Sequence, residues 1–563
     1  MCTGRHGNQG AVELGSETKE PLLVYQKLLE AAWIFRTRSY YEQEAKQAIA
    51  ALPLSEFIRK AHRRLEEESA RCQRYLDPSS HDKVLHPMIT EYIIQHADII
   101  YADFRTMLVK QQQQDCFIIY TLLLRVKDGV LPLQTTFETF ITNECRQKLS
   151  TLDWTSPKII GEYVDSLIAL YTHYTTICER YFANDPGFVA AFDKAFRAIL
   201  NDRVKIRQPE LLARHCDQLL RRRTRDTAQA LEERLVTMIK LFGYLDDKDI
   251  FQKCYSRAMA KRLIADASIS EELEMTVISQ LRKLCGIDFV GKLHRMLTDI
   301  ELNRDLNASW QAWSGNASDG GGIDMTALVL TTGAWPLLNQ SQSQLILPSM
   351  LERSLSNYTA FYQEKFTGRK LTWFWHLSKA DVRMHHAKRR YELSMTLYQL
   401  AVLLCFNRQS QCSLSEIRQQ TGLVAGDLTR TAKSLVDCGI LRSDTALDTE
   451  PSNALLSINE QFESKRTRIK INAPSPVESA QEQTTTAKAI DDDRRLFLQA
   501  VIVRVMKSRR ELLHLDLVSE TIQLATPRFN PDVAMIKRCI EQLIDKQFIE
   551  RDLTNRDLYR YVA

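Results

Sequence analysis

The sequence predicts a mainly α-helical protein that closes with winged-helix units. Three observations carry this. The 563 residues include 19 glycines and 15 prolines, a scarcity that favours helix over a turn-rich sandwich or barrel. From Leu22 to about Leu200 apolar residues recur at helical spacing, interrupted by short turn signals. In the last third, short helices followed by strands appear twice in the order of a winged helix.

The elements follow in chain order. Residues 1–20 are polar and read as a disordered tail. Within Glu56–Tyr75, Phe57, Ala61, Leu65 and Ser69 fall four apart. Breaks at Pro53, Asp77-Pro78-Ser79, Asp128-Gly129 and Asp185-Pro186-Gly187 separate long helices, the signature of a bundle or a stack of helical repeats. Gln111–Gln114 is expected on a solvated helix face. A second helical block runs from about Pro209 to Asn307, and a Gly/Ser-rich loop follows at Ser314–Gly322. Met325–Leu330 reads as a strand and Gln344–Leu347 as a weaker one. Leu371, Trp373 and Trp375 alternate as a strand does. Strand then helix are expected around Tyr391, Leu393, Leu397, Leu400 and Leu404. Leu414–Thr421, Asp427–Cys438 and Ile440-Leu441 give helix, helix, strand, and 473–486 reads as a linker. The final unit has helices over Asp491–Leu512, Leu515–Leu524 and Pro531–Lys546. Three aspartates open the first of these, and Val533, Ile536, Ile540 and Leu543 line the third. Strands at Phe548–Arg551 and Leu558–Tyr561 complete it.

Composition bounds the function. With 44% hydrophobic and 26% charged residues, a disordered, collagen-like or low-complexity chain is excluded, and the length suits three or four domains. The net charge of +5 is too small to argue for nucleic acid. The twelve cysteines are scattered, Cys405 and Cys412 being the closest pair, which fits a reducing compartment better than disulfides or a zinc knuckle. No signal peptide and no run of 18 apolar residues is present. The sequons at Asn307 and Asn316 would matter only in a secreted protein. Protease, hydrolase and kinase motifs are missing, and no histidines stand at metal-ligand spacing. Asp246, Asp247 and Asp249 are expected as a helix cap or solvated edge, Arg257, Lys261 and Arg262 as a solvated helix face, and Cys285 as a buried structural thiol. The residues thus describe a scaffold without chemistry of its own, no catalytic residue, no metal and no cofactor.

Six phrases, in order, resemble the cullin family, closest to the cullin that scaffolds SCF ubiquitin ligases. They are Ser55–Ala61 with Arg64–Glu68, Asn184–Ala191, Pro209–Arg214, Asp247–Lys253 with Ala260–Leu263, Gly368–Trp373, and Ile502–Lys507. The resemblance runs from about residue 22 to the end. It implies helical cullin repeats followed by a globular cullin-homology region: a four-helix bundle, a small α/β region and two winged helices. Mapped here, a disordered tail covers 1–21, an incomplete cullin-repeat stalk 22–204, and the bundle 205–323. A RING-box platform covers 324–385, winged helix A 386–472, a linker 473–487, and winged helix B, the neddylation domain, 488–563. Full-length members carry a further helical repeat before the equivalent of Tyr25. That repeat holds the adaptor and F-box receptor contacts, so these have no matching positions here.

The implied function is that of a scaffold in a cullin-RING E3 ubiquitin ligase. Such a scaffold holds a RING-box protein, and through it an E2 enzyme, near a substrate. The platform accepts a strand of the RING-box protein, supported by Trp335, Leu371, Thr372, Trp373 and Trp375, for which core packing serves equally well. Lys507 is implied as the isopeptide acceptor for the ubiquitin-like protein NEDD8. From spacing alone Lys507 is a solvent lysine on a basic helix face, beyond the apolar stripe of Phe497, Val501 and Val505, with Ile502 and Met506 beside it. It is the only lysine between Lys488 and Lys537, and Arg510 stands where family members often carry another. Modification would release the last winged helix and the RING from a closed arrangement. A cullin exchange factor and a deneddylase complex are further implied partners, with cytoplasmic and nuclear location, no membrane and no nucleic acid. Two alternatives compete: a decoy that binds the RING-box protein without an adaptor, and a winged-helix nucleic-acid binder. The near-neutral third helix, with Lys537, Arg538 and Lys546 against Asp532, Glu541 and Asp545, weighs against the last.

Overall fold

A computed structural model describes residues 24–156, 158–202, 208–221, 227–316, 323–336, 345–385, 389–407, 409–444, 454–471, 480–552, 555 and 557–562. The expected tail at 1–21, most of the Gly/Ser-rich loop and residues 473–479 of the expected linker lie outside them. The chain divides into two compact units. The first holds the described residues of 1–216 and 226–246, and the second those of 217–225 and 247–563.

Among the described residues, the regular structure of the first unit is all helical. A π-helical turn, Tyr25–Glu30, runs into α1 (Ala31–Ala51), followed by α2 (Leu54–Tyr75), α3 (His81–Tyr92), α4 (Ala97–Val109), α5 (Gln113–Leu123), α6 (Leu131–Ser150), α7 (Ile159–Phe182) and α8 (Pro186–Leu200). Then come α9 (Gln208–Leu219), whose last residues fall in the second unit, and α10 (Ala228–Gly243). The anticipated breaks are where helices stop and start. Pro53 caps α2. Asp185 accepts hydrogen bonds from the Gly187 and Phe188 amides at 2.9 and 3.2 Å, and Pro186 occupies the first turn of α8, so two orphan donors are satisfied. The glutamine run is a correction: Gln111 has φ 53° and sits between α4 and α5, so part of the run is the turn rather than a helix face. Helices pack on near neighbours, α1 on α3, α5 on α7 and α6 on α8. Phe182 and Phe188 stack at 3.8 Å, with Phe137 and Tyr120 edge-on to them. Each such buried ring contributes about 1.5–3 kcal/mol.

The second unit begins with α11 (Lys248–Ile264), α12 (Glu271–Cys285) and the long α13 (Ile287–Asn316). Arg262 corrects the expected solvated face, for its side chain is wholly buried. Its guanidinium donates to both Glu274 oxygens, at 2.7 and 2.9 Å, and pairs with Asp217. Tyr255 and Ser268 donate to the same carboxylate. Lys261 is exposed as expected.

After α14 (Ser349–Lys365), β1 (Lys379–Met384) and β2 (Tyr391–Thr396) form an antiparallel hairpin, and β6 (Arg468–Lys470) pairs parallel to β2. Between them lies the first winged helix: α15 (Leu397–Cys405), β3 (Gln411–Ser413), α16 (Leu414–Thr421), α17 (Ala425–Asp437), β4 (Leu441–Ser443) and β5 (Leu455–Ile458), with sheet order β3-β5-β4. Ser413 and Glu416 make a reciprocal capping box at α16. The expected strands at Met325–Leu330, Gln344–Leu347 and Leu371–Trp375 are not in any sheet among the described residues. Gln344 lies outside those residues, and Trp375 opens a 3-10 turn.

The second winged helix comprises α18 (Ala480–Arg509), β7 (Glu511–Leu513), α19 (His514–Ala525), α20 (Val533–Asp545), β8 (Ile549–Arg551) and β9 (Leu558–Tyr561), with sheet order β7-β9-β8. Helix α18 starts well before Asp491, within the expected linker, so the three aspartates lie mid-helix and far from the dipole end. Leu498, Ile502 and Met506 form the core against Leu517, Ile536, Ile540 and Tyr559. Val533 departs from the expected stripe and is exposed.

Candidate functional site

Residues 323–331 run extended along α13, and that helix supplies their hydrogen bonds. The Asn303 amide donates to the Val329 carbonyl at 2.8 Å and accepts from the Val329 N–H at 2.7 Å. Asn307 makes the same two bonds with Ala327, at 3.0 and 2.9 Å. One turn earlier Asp299 accepts from the Thr331 N–H and hydroxyl, at 2.8 and 2.9 Å. At the other end the Trp310 indole donates to the Met325 carbonyl. The periods explain the match. Four helical residues rise about 6.0 Å, and two extended residues span about 6.6 Å.

This ladder consumes one edge of the segment. The other edge, carrying the backbone groups of Thr326, Leu328 and Leu330, has no hydrogen-bond partner among the described residues. The Leu328 side chain is exposed as well. The segment therefore has the chemistry of a sheet edge, with N–H and C=O groups directed outward.

The five residues expected in the platform separate by role. Trp335 is buried and donates from its indole to Asp299 at 2.8 Å, so it braces the ladder. Leu371 and Trp373 are half-buried against the cluster of Trp310, Ala327, Tyr358 and Phe361. Trp375 stacks on Trp373 at 5.7 Å and packs against the first winged helix. Thr372 is exposed. Asp299, Asn303 and Asn307 were not anticipated, although their spacing of four along one helix, facing an alternating apolar segment, is visible in the sequence.

Lys507 lies in the last turn of α18, exposed, while Val505 and Met506 beside it are buried. Arg509 is paired with Glu520 at 3.1 Å. Among the described residues Lys507 has no ion pair, so its amine is presented to solvent. A shallow groove of about 670 Å³ starts beside it, with Leu496, Ala500, Val503 and Phe548 along its walls. Arg510 takes φ 70° in the turn to β7, and its guanidinium lies 5.8 Å from the centre of the Tyr561 ring.

The other sequence candidates resolve otherwise. Asp247 and Asp249 hold the Arg494 guanidinium, with Asp249 at 2.5 and 2.7 Å and Asp247 at 2.9 Å. Asp247 stands at the N-cap position of α11, as expected of a helix cap, without a side-chain capping bond, and Asp249 in the first turn is buried rather than a solvated edge. No group of three or more His, Cys, Asp or Glu able to hold a metal ion occurs among the described residues. Burial pushes the half-buried Cys285 thiol up, away from the thiolate a nucleophile needs. No helix among the described residues is long and apolar enough to cross a membrane.

Comparison with known proteins brings these features together. The chain matches the cullin alpha solenoid domain over residues 9–307, the cullin alpha+beta domain over 329–462, and the cullin protein neddylation domain over 493–555. It is 35% identical to Cullin-1 of Dictyostelium discoideum, an alignment that covers 98% of this chain and 74% of that protein. It is 33% identical to Cullin-1 of Schizosaccharomyces pombe, over 97% of this chain and 72% of that one. Against Cullin-3A of Arabidopsis thaliana the identity is 29%, over 96% and 74%.

Proposed function

The chain belongs to the cullin family, and on that premise we propose that it is the scaffold subunit of a multisubunit, SCF-like cullin-RING E3 ubiquitin ligase. The family architecture, a solenoid followed by an alpha+beta domain and a neddylation domain, is present. The observation that most supports the finer reading is the unpaired edge at Thr326, Leu328 and Leu330, held rigid from behind by Asp299, Asn303 and Asn307. An edge braced on one side and unpaired on the other suits an added strand. In this proposal the strand comes from a RING-box protein, whose RING recruits the E2 enzyme.

The scaffold then acts by proximity, raising the effective concentration of E2-bound ubiquitin near a substrate lysine. It contributes no nucleophile to that transfer. Lys507 is the proposed acceptor for NEDD8. Its amine attacks the carrier thioester, an isopeptide bond forms, and the thiol leaves. Similarity to Cullin-1 of two organisms supports an SCF-like complex.

Reconstitution tests the proposal. The full chain is co-expressed with a RING-box protein and supplied with ubiquitin, E1 and E2. A stable complex that accelerates ubiquitin discharge from E2 is the expected result. A chain that binds no RING-box protein would remove the proposal's foundation.

A further inference from the structure

Residues 491–563 contain three lysines, Lys507, Lys537 and Lys546. Two of them border one groove. Lys507, in the last turn of α18, and Lys546, just past the end of α20, both line the groove walled by Leu496, Ala500, Val503 and Phe548. Lys537 does not line it. It stands nine residues before Lys546, about 180° round a helix of 3.6 residues per turn. The position of the Lys546 amine is fixed by Gln499, which reaches from α18 between two residues of α20. The Gln499 Nε2 donates to the Gln542 Oε1 at 2.7 Å, and its Oε1 accepts from the Lys546 Nζ at 3.2 Å. Gln499 lies eight residues before Lys507 on the same helix, or about 12 Å at 1.5 Å per residue. Both amines are therefore presented along one wall, two turns of α18 apart.

We propose that Lys546 is a second isopeptide acceptor, latent behind Lys507 and restrained by Gln499. The proposal rests on the reading of Lys507 as the first acceptor, because the same thioester-charged enzyme must reach both. Lys546 is exposed, and among the described residues it has no carboxylate partner. A neutral amide oxygen brings no full opposite charge to the ammonium, so it does less than a carboxylate would to keep the proton on. The step is an ordinary aminolysis. The ammonium gives one proton to solvent, and the amine attacks the thioester carbonyl. The C–N bond forms as the C–S bond breaks, and the amine's surplus proton leaves with the thiol. Lys507 takes precedence because it has no anchor to leave, whereas Lys546 must first part from Gln499.

Timed conjugation tests it, on the full chain in complex with a RING-box protein and supplied with NEDD8, its E1 and its E2. Mass spectrometry follows the isopeptide remnant at each lysine. The parent should carry it at Lys507. Lys507→Arg should carry it at Lys546, formed about 100-fold more slowly, and Lys507→Arg with Lys546→Arg should carry none in this domain. Adding Gln499→Ala to Lys507→Arg should speed the Lys546 product about threefold to tenfold. A parent modified at Lys507 whose Lys507→Arg variant bears no remnant, or bears it first at Lys537, would overturn the proposal and leave the reading of Lys507 intact. A parent with no remnant at Lys507 would count against that reading instead. Labelling the full chain with acetic anhydride, without any partner, keeps the geometry testable in that case. Lys546 should acetylate about threefold to tenfold faster in Gln499→Ala, while Lys537 stays at its original rate. An unchanged Lys546 rate would overturn the restraint, and the proposal with it.

Discussion

Asn303 pairs with Val329 as one strand residue pairs with another: a single side-chain amide gives one hydrogen bond to the residue's carbonyl and takes one from its N–H. A helix thereby serves as the missing neighbour of an extended segment. The Asn303→Leu variant keeps the volume and leaves both backbone groups of Val329 without a partner, at a cost of about 1–3 kcal/mol per group. RING-box affinity measured by calorimetry should fall at least about tenfold, with the thermal unfolding of the first unit unmoved. Asn303→Asp, which can accept but not donate when ionised, should fall in between.

The opposite edge permits a cleaner test. The Leu328 N–H has no partner among the described residues, so Leu328→Pro deletes a donor the isolated chain does not use. The variant should match the parent in melting temperature and lose capture of the RING-box protein. Equal capture by parent and variant would move the binding site elsewhere.

Arg262 is the most enclosed cation described. Removing one partner of a buried pair strands the other charge, so Arg262→Ala should lower stability by about 3–5 kcal/mol, measured by urea unfolding of the full chain. Arg262→Met should cost the same or less, since it refills the volume but still strands Glu274. A loss under about 1 kcal/mol in both would show that water reaches the Glu274 carboxylate.

These residues also show what the sequence reveals and what it hides. Turn chemistry is local, so Pro53, Asp77 and Asp185 mark helix boundaries correctly with no tertiary information. Both winged helices were legible for the same reason, through apolar spacing and short strands. Arg262 was not. A lone arginine on a helix looks solvated until Glu274 and Asp217 close over it. Asn307 reads as a sequon and works as a rung. The Met325–Leu330 strand was rightly expected to be extended and wrongly expected in a sheet, because its neighbour is a row of helix side chains. Arg494 and Asp249 lie 245 positions apart, and nothing near either one signals the other. The start of α18 was missed because its first turns are threonine-rich and follow prolines.

Acidification should weaken the first unit. Burial depresses the His215 imidazolium below its ordinary value of about 6.5. Asp165, 3.5 Å away, pulls it back up, and Arg234, which shares Asp165, pushes it down. His96 is shifted down by burial as well, with Glu91 opposing. A folded pKa below the unfolded one means that the unfolded chain binds more protons between the two values. The contribution to stability is therefore complete above about pH 6.5 and is lost as pH falls toward the folded pKa. The urea midpoint followed by exchange in α7 and α9 should drop between about pH 7.5 and about 5.5, and His215→Gln should flatten the slope. A midpoint that rises on acidification would contradict the sign.

The central claim is that this cullin holds a RING-box protein and is modified at Lys507. Mass spectrometry of the protein purified from its own cells, beside a Lys507→Arg control, tests both at once. The expected result is a co-purifying RING-box protein and an isopeptide remnant of NEDD8 on Lys507, with the remnant gone in the control. A well-expressed, soluble protein with neither the partner nor the remnant would contradict the account.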